Sequence, residues 1–214
     1  MFGRGPLILC VVASLAFWPA PAGAGAPTDR IRIAVDRVTQ ILDDPALKPE
    51  ARATERQEAV RAAVVQLFDF AEISRRAMAQ HWRALTAPER EEFVALFRAF
   101  LERRYLPRIR WYRGERVRFV SESQDGNIAI VRTLLVTSRG AEVPVIFRLH
   151  RPDRGWLIYD ISAAGVSLVN NYRAQFNQII QRTSVQELVR RIRKRIASAK
   201  SPNEAGSTHS ARRD

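Results

Sequence analysis

Hydrophobic and polar residues follow two different periods along this chain. Through residues 28–105, and again from Gly165 onward, apolar side chains recur every three or four positions, which is the pattern of amphipathic helices. Over residues 116–162, they recur mostly at every second position, which is typical of strands. The pattern therefore predicts a central group of strands with helices before and after it.

The boundaries of these elements follow from the same pattern. The predicted helices cover 28–44, 49–67, 70–82, a segment from Thr86 to Tyr105, a segment beginning at Gly165, and 184–197. The predicted strands cover 116–122, 128–137, 142–150 and 156–162. Two helix starts carry a capping box, Thr86 with Glu89 and Ser184 with Glu187, and Asp69 can cap the helix at 70.

Short connections join the predicted strands. Turn-forming residues occupy 124–127, 138–140 and 152–155, and connections this short produce an antiparallel meander. Strand 156–162 is apolar on both faces, so both faces should be covered. The predicted fold is α+β: a four-stranded, possibly larger, antiparallel curved sheet wrapped by N- and C-terminal helices. Such a sheet can enclose an apolar cavity.

The two ends of the chain have a different composition. Residues 1–24 combine Arg4, an apolar run from Leu7 to Trp18 and the sequence Ala22-Gly23-Ala24, which predicts a cleaved secretory signal peptide. Cys10, the only cysteine, lies inside that run, so the mature chain should contain no disulfide. Residues 25–198 are predicted to form one domain. Residues 199–214 lack apolar content and predict a disordered tail.

Basic residues outnumber acidic ones, 35 to 22, for a formal net charge of +13. This excess of positive charge could favour binding to nucleic acid, to an anionic membrane surface or to an acidic partner. The densest run, RRIRKR at 190–195, lies on an amphipathic helix, where a solvated face is the favoured interpretation. Because an exported protein rarely meets nucleic acid, no nucleic-acid partner is predicted, and transient membrane-surface contact ranks next.

The sequence Gly165-Val166-Ser167 is the strongest candidate for chemistry. A nucleophile elbow needs a second glycine where this chain has Val169. A catalytic triad would also need His81 or His150 beside Ser167, which the spacing does not support. Ser167 is better explained as a helix cap. With no metal-ligand spacing and no phosphate loop, the sequence predicts no enzyme, no catalytic residue, no metal and no cofactor beyond a bound cargo.

Three segments resemble one known family. WLIYDISAAGVS at 156–167 resembles the strand-to-helix signature of the MlaC, or toluene-tolerance, family of periplasmic lipid carriers. LFDFAEISRRAMAQHW at 67–82 resembles its short helix. A further block is similar in its spacing of Thr86, Pro88, Arg90, Phe93, Phe97, Phe100 and Tyr105. The resemblance covers about residues 30–197.

The resemblance implies a monomeric periplasmic carrier of phospholipid, or of a hopanoid-type lipid. The carrier would shuttle its cargo between an outer-membrane lipoprotein complex and an inner-membrane ABC transporter with an MCE-domain protein. The acyl chains would then contact the inward apolar stripe, predicted as Phe93, Phe97, Tyr105, Val145, Phe147, Leu149, Tyr159, Ile161, Val166, Val169 and Phe176. Arg148 or Arg151 would contact an anionic headgroup.

Two other classes of protein remain open at this point. One is an enzyme that uses a pocket in the same α+β fold, although the sequence offers it no acid/base cluster beyond Asp160 and His150. The other is a basic envelope protein that binds an anionic partner through its last helix. The carrier is the favoured prediction.

Overall fold

The structure is a computed structural model that describes residues 26–153 and 155–198. The predicted signal peptide, 1–24, and tail, 199–214, lie outside the described residues. The described residues form six α-helices: α1 (Ala26–Asp43), α2 (Ala53–Val64), α3 (Phe70–Met78), α4 (Ala87–Tyr105), α5 (Leu168–Arg182) and α6 (Val185–Ser198). Shorter 3-10 turns cover Glu50–Arg52, Val65–Leu67, Ala79–Ala84 and Leu106–Trp111. Within the described part of the chain, no helix has the length and apolarity needed to cross a membrane.

In the part of the chain that the structure describes, five strands form one antiparallel sheet. They are β1 (Arg116–Asp125), β2 (Ile128–Val136), β3 (Glu142–His150), β4 (Leu157–Ala163) and β5 (Val166–Ser167), in the spatial order β1-β2-β3-β4-β5. The register shifts between Phe119 and Ser121, and again between Arg148 and Leu149. Such irregularities bend a strand and increase its twist, which helps the sheet curve. The predicted α+β fold with a curved antiparallel sheet is confirmed.

The predicted helix starts agree closely with the structure. The Thr86 side chain accepts a hydrogen bond from Glu89 N while the Glu89 carboxylate accepts one from Thr86 N, so the capping box is complete. Asp69 accepts a hydrogen bond from Glu72 N and caps α3. Ser184 accepts one from Glu187 N at the start of α6. Each acceptor satisfies an amide that the first turn of a helix leaves unpaired.

Two predicted elements differ in detail. The helix expected over 49–67 is α-helical only over α2, and tightens into a 3-10 turn at the β-branched pair Val64 and Val65. The helix expected from Gly165 begins at Leu168. Ala164 and Gly165 both have positive φ and form a two-residue turn between β4 and β5, so the chain pairs as a strand before it becomes helical.

Buried side chains form two clusters. The first lies among α3, α4, α5 and α6 and is rich in aromatic rings, such as Phe93, Phe97 and Phe176. The second lies between α1 and one face of the sheet and is largely aliphatic, with Ile31 and Val131 among its members. The first cluster is a packed helical core, whereas the second borders a cavity between α1 and the sheet.

Candidate functional site

A cavity of about 540 Å³ lies between α1 and the sheet. Its wall is formed by the inner face of α1, the end of α2, the segment before β1, and one face of strands β1 to β4. The lining residues are Ile31, Ala34, Val35, Val38, Thr39, Leu42, Val64, Leu67, Phe68, Arg108, Tyr112, Glu115, Val117, Leu135, Thr137, Phe147 and Ile158. Most of these side chains are aliphatic, so the cavity suits an apolar ligand.

Helix α1 forms one whole side of this cavity. Ile31, Val35, Val38 and Leu42 recur at helical spacing and therefore lie on one face. Ile33, on the other side of the helix, is 69% exposed. The beginning of α1 is fixed to the sheet because Thr28 N donates to Glu122 Oε2 at 2.9 Å. The Arg32 guanidinium also lies 4.3 Å from the centre of the Phe119 ring.

The polar lining residues gather at one end of the cavity. Arg108, Tyr112 and Glu115 precede β1, while Thr137 follows β2. Because Arg116 pairs with Val136, the start of β1 and the end of β2 are adjacent. Burial and the nearby carboxylates of Asp43 and Glu115 raise the pKa of the Tyr112 phenol, so it is neutral at physiological pH. We call this end the polar mouth, and it adjoins the C-terminal end of α1.

The structure describes every predicted lipid-contacting residue. Of these, Phe147 lies on the cavity wall, and the others do not. Leu149 lies on the same face of β3 and is fully buried in the aliphatic cluster, against which Ile161 packs. Val145 also lies on this face, paired with Thr133, but does not reach the cavity. These residues therefore lie beside the cavity, on the same face of the sheet.

Most of the other predicted residues belong to the helical core. Phe93, Phe97, Val169 and Phe176 are buried there, and Tyr105 packs against them. The rings contact one another closely, with Phe97 and Phe176 centred 5.1 Å apart in an edge-to-face arrangement. These residues therefore do not line the cavity between α1 and the sheet, because their rings pack against one another among the helices, and their contact with lipid stays a prediction.

Two predicted residues lie elsewhere. Tyr159 follows Ile158 in β4 and therefore points to the opposite face of the sheet, where the Arg76 guanidinium lies 3.9 Å from its ring centre. Val166 is 62% exposed in the short strand β5. Neither side chain lines the cavity. The sequence missed α1 as the cavity wall because its stripe of Ile, Val and Leu resembles any helix that packs on a core.

The arginines predicted for a headgroup also lie away from the cavity. Arg148 donates to Asp160 Oδ2 at 3.2 Å and to Ser162 Oγ at 2.7 Å, on the face opposite Phe147. Arg151 lies 6.0 Å from the ring centre of Trp156. Alternation along β3 explains the position of Arg148, since neighbouring residues point to opposite faces. Among the described residues, the basic side chain in the cavity lining is Arg108.

Ser167 forms part of a structural hydrogen-bond network. Its Oγ donates to Asp160 Oδ2 at 2.7 Å and accepts from Asn170 N at 3.1 Å. Val169 N donates to Asp160 Oδ1 at 3.0 Å. The predicted helix cap is confirmed, and Asp160, which is 5% exposed, joins β4 to the start of α5.

Both described histidines have partners away from Ser167. His150 Nε2 lies 3.0 Å from Asp69 Oδ2, and His81 Nε2 lies 2.9 Å from Asn177 Oδ1. Neither of these two imidazoles is therefore positioned to take a proton from the Ser167 hydroxyl. Over residues 26–153 and 155–198, no group of three or more His, Cys, Asp or Glu side chains is arranged to hold a metal ion.

Comparison with known proteins agrees with the fold and the cavity. Residues 32–194 match the family described as MlaC protein. The intermembrane phospholipid transport system binding protein MlaC of Haemophilus influenzae is 21% identical over 119 residues, which cover 53% of this chain and 56% of that protein. The chain thus spans little more than half the length of this curated relative.

A solved structure is similar over more of the chain. The phospholipid-binding protein of Ralstonia solanacearum, determined in complex with a phospholipid, superposes with a TM-score of 0.71 and 25% sequence identity. The superposition covers 81% of this chain and 98% of that one. Since the family match extends over most of the residues and agrees with the fold, the chain belongs to the MlaC protein family.

Proposed function

We propose that this protein is a periplasmic lipid carrier. The cavity between α1 and the sheet would hold the acyl chains of a phospholipid, with the headgroup at the polar mouth. The observation that carries the proposal is the cavity of about 540 Å³, aliphatic along its length and polar at one end. This division matches a molecule with apolar tails and a charged head. The similarity to a structure determined with bound phospholipid supports the same ligand class.

The physical requirement for such a carrier is large. Each methylene group exposed to water costs about 0.8 kcal/mol, so a sixteen-carbon chain costs on the order of 12 kcal/mol. A lipid therefore crosses an aqueous compartment at a useful rate only when a protein encloses its tails. The task needs apolar surface and a way in, and it needs no reacting group. The helix-capping role of Ser167 is compatible with this function.

The orientation of the cargo follows from the lining residues. Tails would extend toward Leu67, Phe68 and Ile158, away from the polar mouth. At the mouth, the Arg108 guanidinium lies 5.2 Å from the ring centre of Tyr105 and can approach a headgroup phosphate. Arg108 thus replaces Arg148 and Arg151 as the proposed headgroup contact.

The cellular role belongs to the same proposal. The carrier would act as a monomer in the periplasm, after export by a cleaved signal peptide. It would move phospholipid, or a hopanoid-type lipid, between an outer-membrane lipoprotein complex and an inner-membrane ABC transporter with an MCE-domain protein. The name of the Haemophilus relative supports transport between membranes, and family membership supports the assignment to this chain.

The cargo can be identified directly. The full chain is exported in a Gram-negative host, purified without detergent, extracted with organic solvent and examined by lipid mass spectrometry. We expect close to one phospholipid per protein. The extracted protein should then take up phospholipid from vesicles and show the same ratio again. A protein that is purified empty, and that takes up no lipid, would exclude the carrier function.

A further inference from the structure

A second recess lies outside the cargo cavity and is lined mainly by arginines. It encloses about 530 Å³ between the end of α3, the 3-10 turn after it and the exposed side of α5. Its lining residues are Arg75, Arg76, Ala79, Gln80, Trp82, Arg83 and Arg173, and we call it the arginine recess. It shares no lining residue with the cargo cavity.

The positive charge of the arginine recess is only partly neutralised. Glu72 is bonded to both Arg75 and Arg76, at 2.6 and 2.7 Å, so one carboxylate serves two guanidinium groups. Arg173 Nε donates to the carbonyl oxygen of Arg76 at 2.9 Å. Within the part of the chain that the structure describes, neither Arg83 nor Arg173 forms a salt bridge. Four arginines beside one glutamate leave a local charge near +3.

An adjacent recess shows that this excess is particular to one site. That recess is lined by Arg61, Arg90 and Arg98, and it shares Trp82 with the arginine recess. Arg61 and Arg98 each bond Glu102 at 2.7 Å. Arg90 donates to the carbonyl oxygens of Trp82 and Arg83. Glu91 and Glu102 also line that recess, so three arginines lie beside two carboxylates and the local charge is near +1, against +3 in the arginine recess.

The turn that carries Arg83 is held in place. The backbone of Ala79 has φ 48° and ψ −121°, a conformation that L-residues rarely adopt, and it ends α3 sharply. Gln80 Nε2 donates to Asn177 Oδ1, and His81 Nε2 contacts the same oxygen, so α5 secures the turn. The backbone that carries Arg83 is therefore fixed before any ligand binds, which reduces the entropy lost on binding.

We propose that the arginine recess binds the phosphate of an anionic phospholipid headgroup at a bilayer surface, and so docks the protein on membranes. A guanidinium group presents paired N–H donors that match phosphate oxygens. Trp82 is half-buried at the recess, and tryptophan is favoured at membrane interfaces because its ring is apolar with one polar edge. Any role of docking in cargo delivery rests on the proposed carrier function, whereas vesicle binding does not.

Vesicle binding tests this proposal. Co-sedimentation is measured with vesicles of equal parts phosphatidylcholine and phosphatidylglycerol, and with pure phosphatidylcholine vesicles. We expect binding to the anionic vesicles only, weakened by salt. Each basic residue near an anionic membrane surface strengthens binding roughly fivefold, so R83A/R173A should bind the anionic vesicles about 25-fold more weakly. The reverse variant, Glu72→Gln, frees Arg75 and Arg76 and should bind more tightly.

The matched control removes the same charge elsewhere. The exposed residues Lys194 and Arg195 lie on α6, so K194A/R195A lowers the net charge equally and should change vesicle binding less than threefold. Equal losses in the two double variants would overturn the proposal, because net charge alone would then explain binding. Circular dichroism and extracted lipid content should match the wild type in every variant, which separates a docking defect from a folding or cargo defect.

Two further probes distinguish other sources of anionic charge. Titration calorimetry with inorganic phosphate should show no saturable binding at millimolar concentration. Tight phosphate binding lost in R83A/R173A, with vesicle binding intact, would identify a free-phosphate site and overturn membrane docking. Likewise, a poly-glutamate peptide that binds through Arg83 and Arg173, while anionic vesicles do not, would show that the recess recognises an acidic protein segment.

Discussion

Asp160 is a buried carboxylate with three partners from three different elements. Asp160 accepts hydrogen bonds from the Arg148 guanidinium on β3, from the Ser167 hydroxyl on β5, and from Val169 N at the start of α5. The sequence identified Ser167 as a cap, because a short polar side chain before a helical pattern is a strong local signal. It could not identify Arg148 as a partner of Asp160, since that contact depends on the pairing of β3 with β4.

Neutralising Asp160 should therefore destabilise the fold. In Asp160→Asn, the half-buried Arg148 guanidinium loses its counter-charge, and one donor of the network is left with a poorer acceptor. We expect the free energy of unfolding to fall by about 2–3 kcal/mol, as measured by urea denaturation. Asp36→Asn, on the exposed side of α1, is the control and should change it by less than about 0.5 kcal/mol. Equal effects would contradict the network.

Ala164 has φ 49° and precedes Gly165 in the turn between β4 and β5. Two positive φ values in a two-residue turn are best satisfied by Asn-Gly. Ala164→Asn should raise the free energy of unfolding by about 0.5 kcal/mol, because asparagine tolerates this conformation better than alanine. Ala174 lies in the exposed middle of α5, where alanine is the better helix former, so Ala174→Asn should lower the free energy of unfolding by a similar amount. Thermal denaturation of both variants checks the opposite signs.

At the scale of elements, the pH response of α3 depends on Glu72. A hydrogen bond from Arg75, with a further one from Arg76, lowers the pKa of the Glu72 carboxyl to about 2, against an ordinary value of 4.5. Because the folded pKa is depressed, this stabilisation is complete above about pH 4.5 and is lost as the pH falls toward 2. Glu72→Gln should remove that part of the pH dependence, which urea denaturation across this range measures.

Arg52 and Glu55 offer a control for this experiment. Their salt bridge is exposed at both side chains, so Glu55→Gln should leave the pH dependence close to that of the wild type. If Glu72→Gln and the wild type lose stability equally between pH 4.5 and 2, the folded pKa of Glu72 is not depressed.

Helix α1 allows a direct test of the cargo cavity. Val38 lines the cavity, whereas Ile33, on the same helix, is exposed. Val38→Trp should fill part of the space and reduce bound phospholipid at least several-fold, while Ile33→Trp should leave it unchanged. Lipid mass spectrometry of the purified variants gives the ratio. Equal lipid content in Val38→Trp and wild type would place the tails elsewhere.

The elements could be predicted well because each is encoded in neighbouring residues. Periodicity located α1 and α4, and capping residues fixed the start of α4 at Thr86. Cavity and core could not be separated in the same way. Val38 and Phe97 both lie on apolar helix faces, and only the arrangement of helices decides that Phe97 is enclosed by other rings while Val38 borders open space.

On the scale of the whole molecule, the two buried clusters should respond differently to cargo. The aromatic cluster among α3 to α6 is complete without a ligand, but the aliphatic cluster borders the cavity. Removing the lipid should therefore speed amide hydrogen exchange in α1 far more than in α4. Exchange followed by mass spectrometry, before and after extraction, tests this. Uniform acceleration in both helices would show that cargo stabilises the whole fold equally.

The polar mouth also constrains the sequence of events in a transfer. In the lining that the structure describes, charged side chains and tyrosine meet at the single end where β1 begins and β2 stops. If a lipid binds as proposed, with its headgroup at the polar mouth, it would enter tails first and depart headgroup first at that end. Under the proposed carrier function, donor and acceptor would therefore face that end in turn, so binding of the two partners would be mutually exclusive and each delivery would follow release from the source.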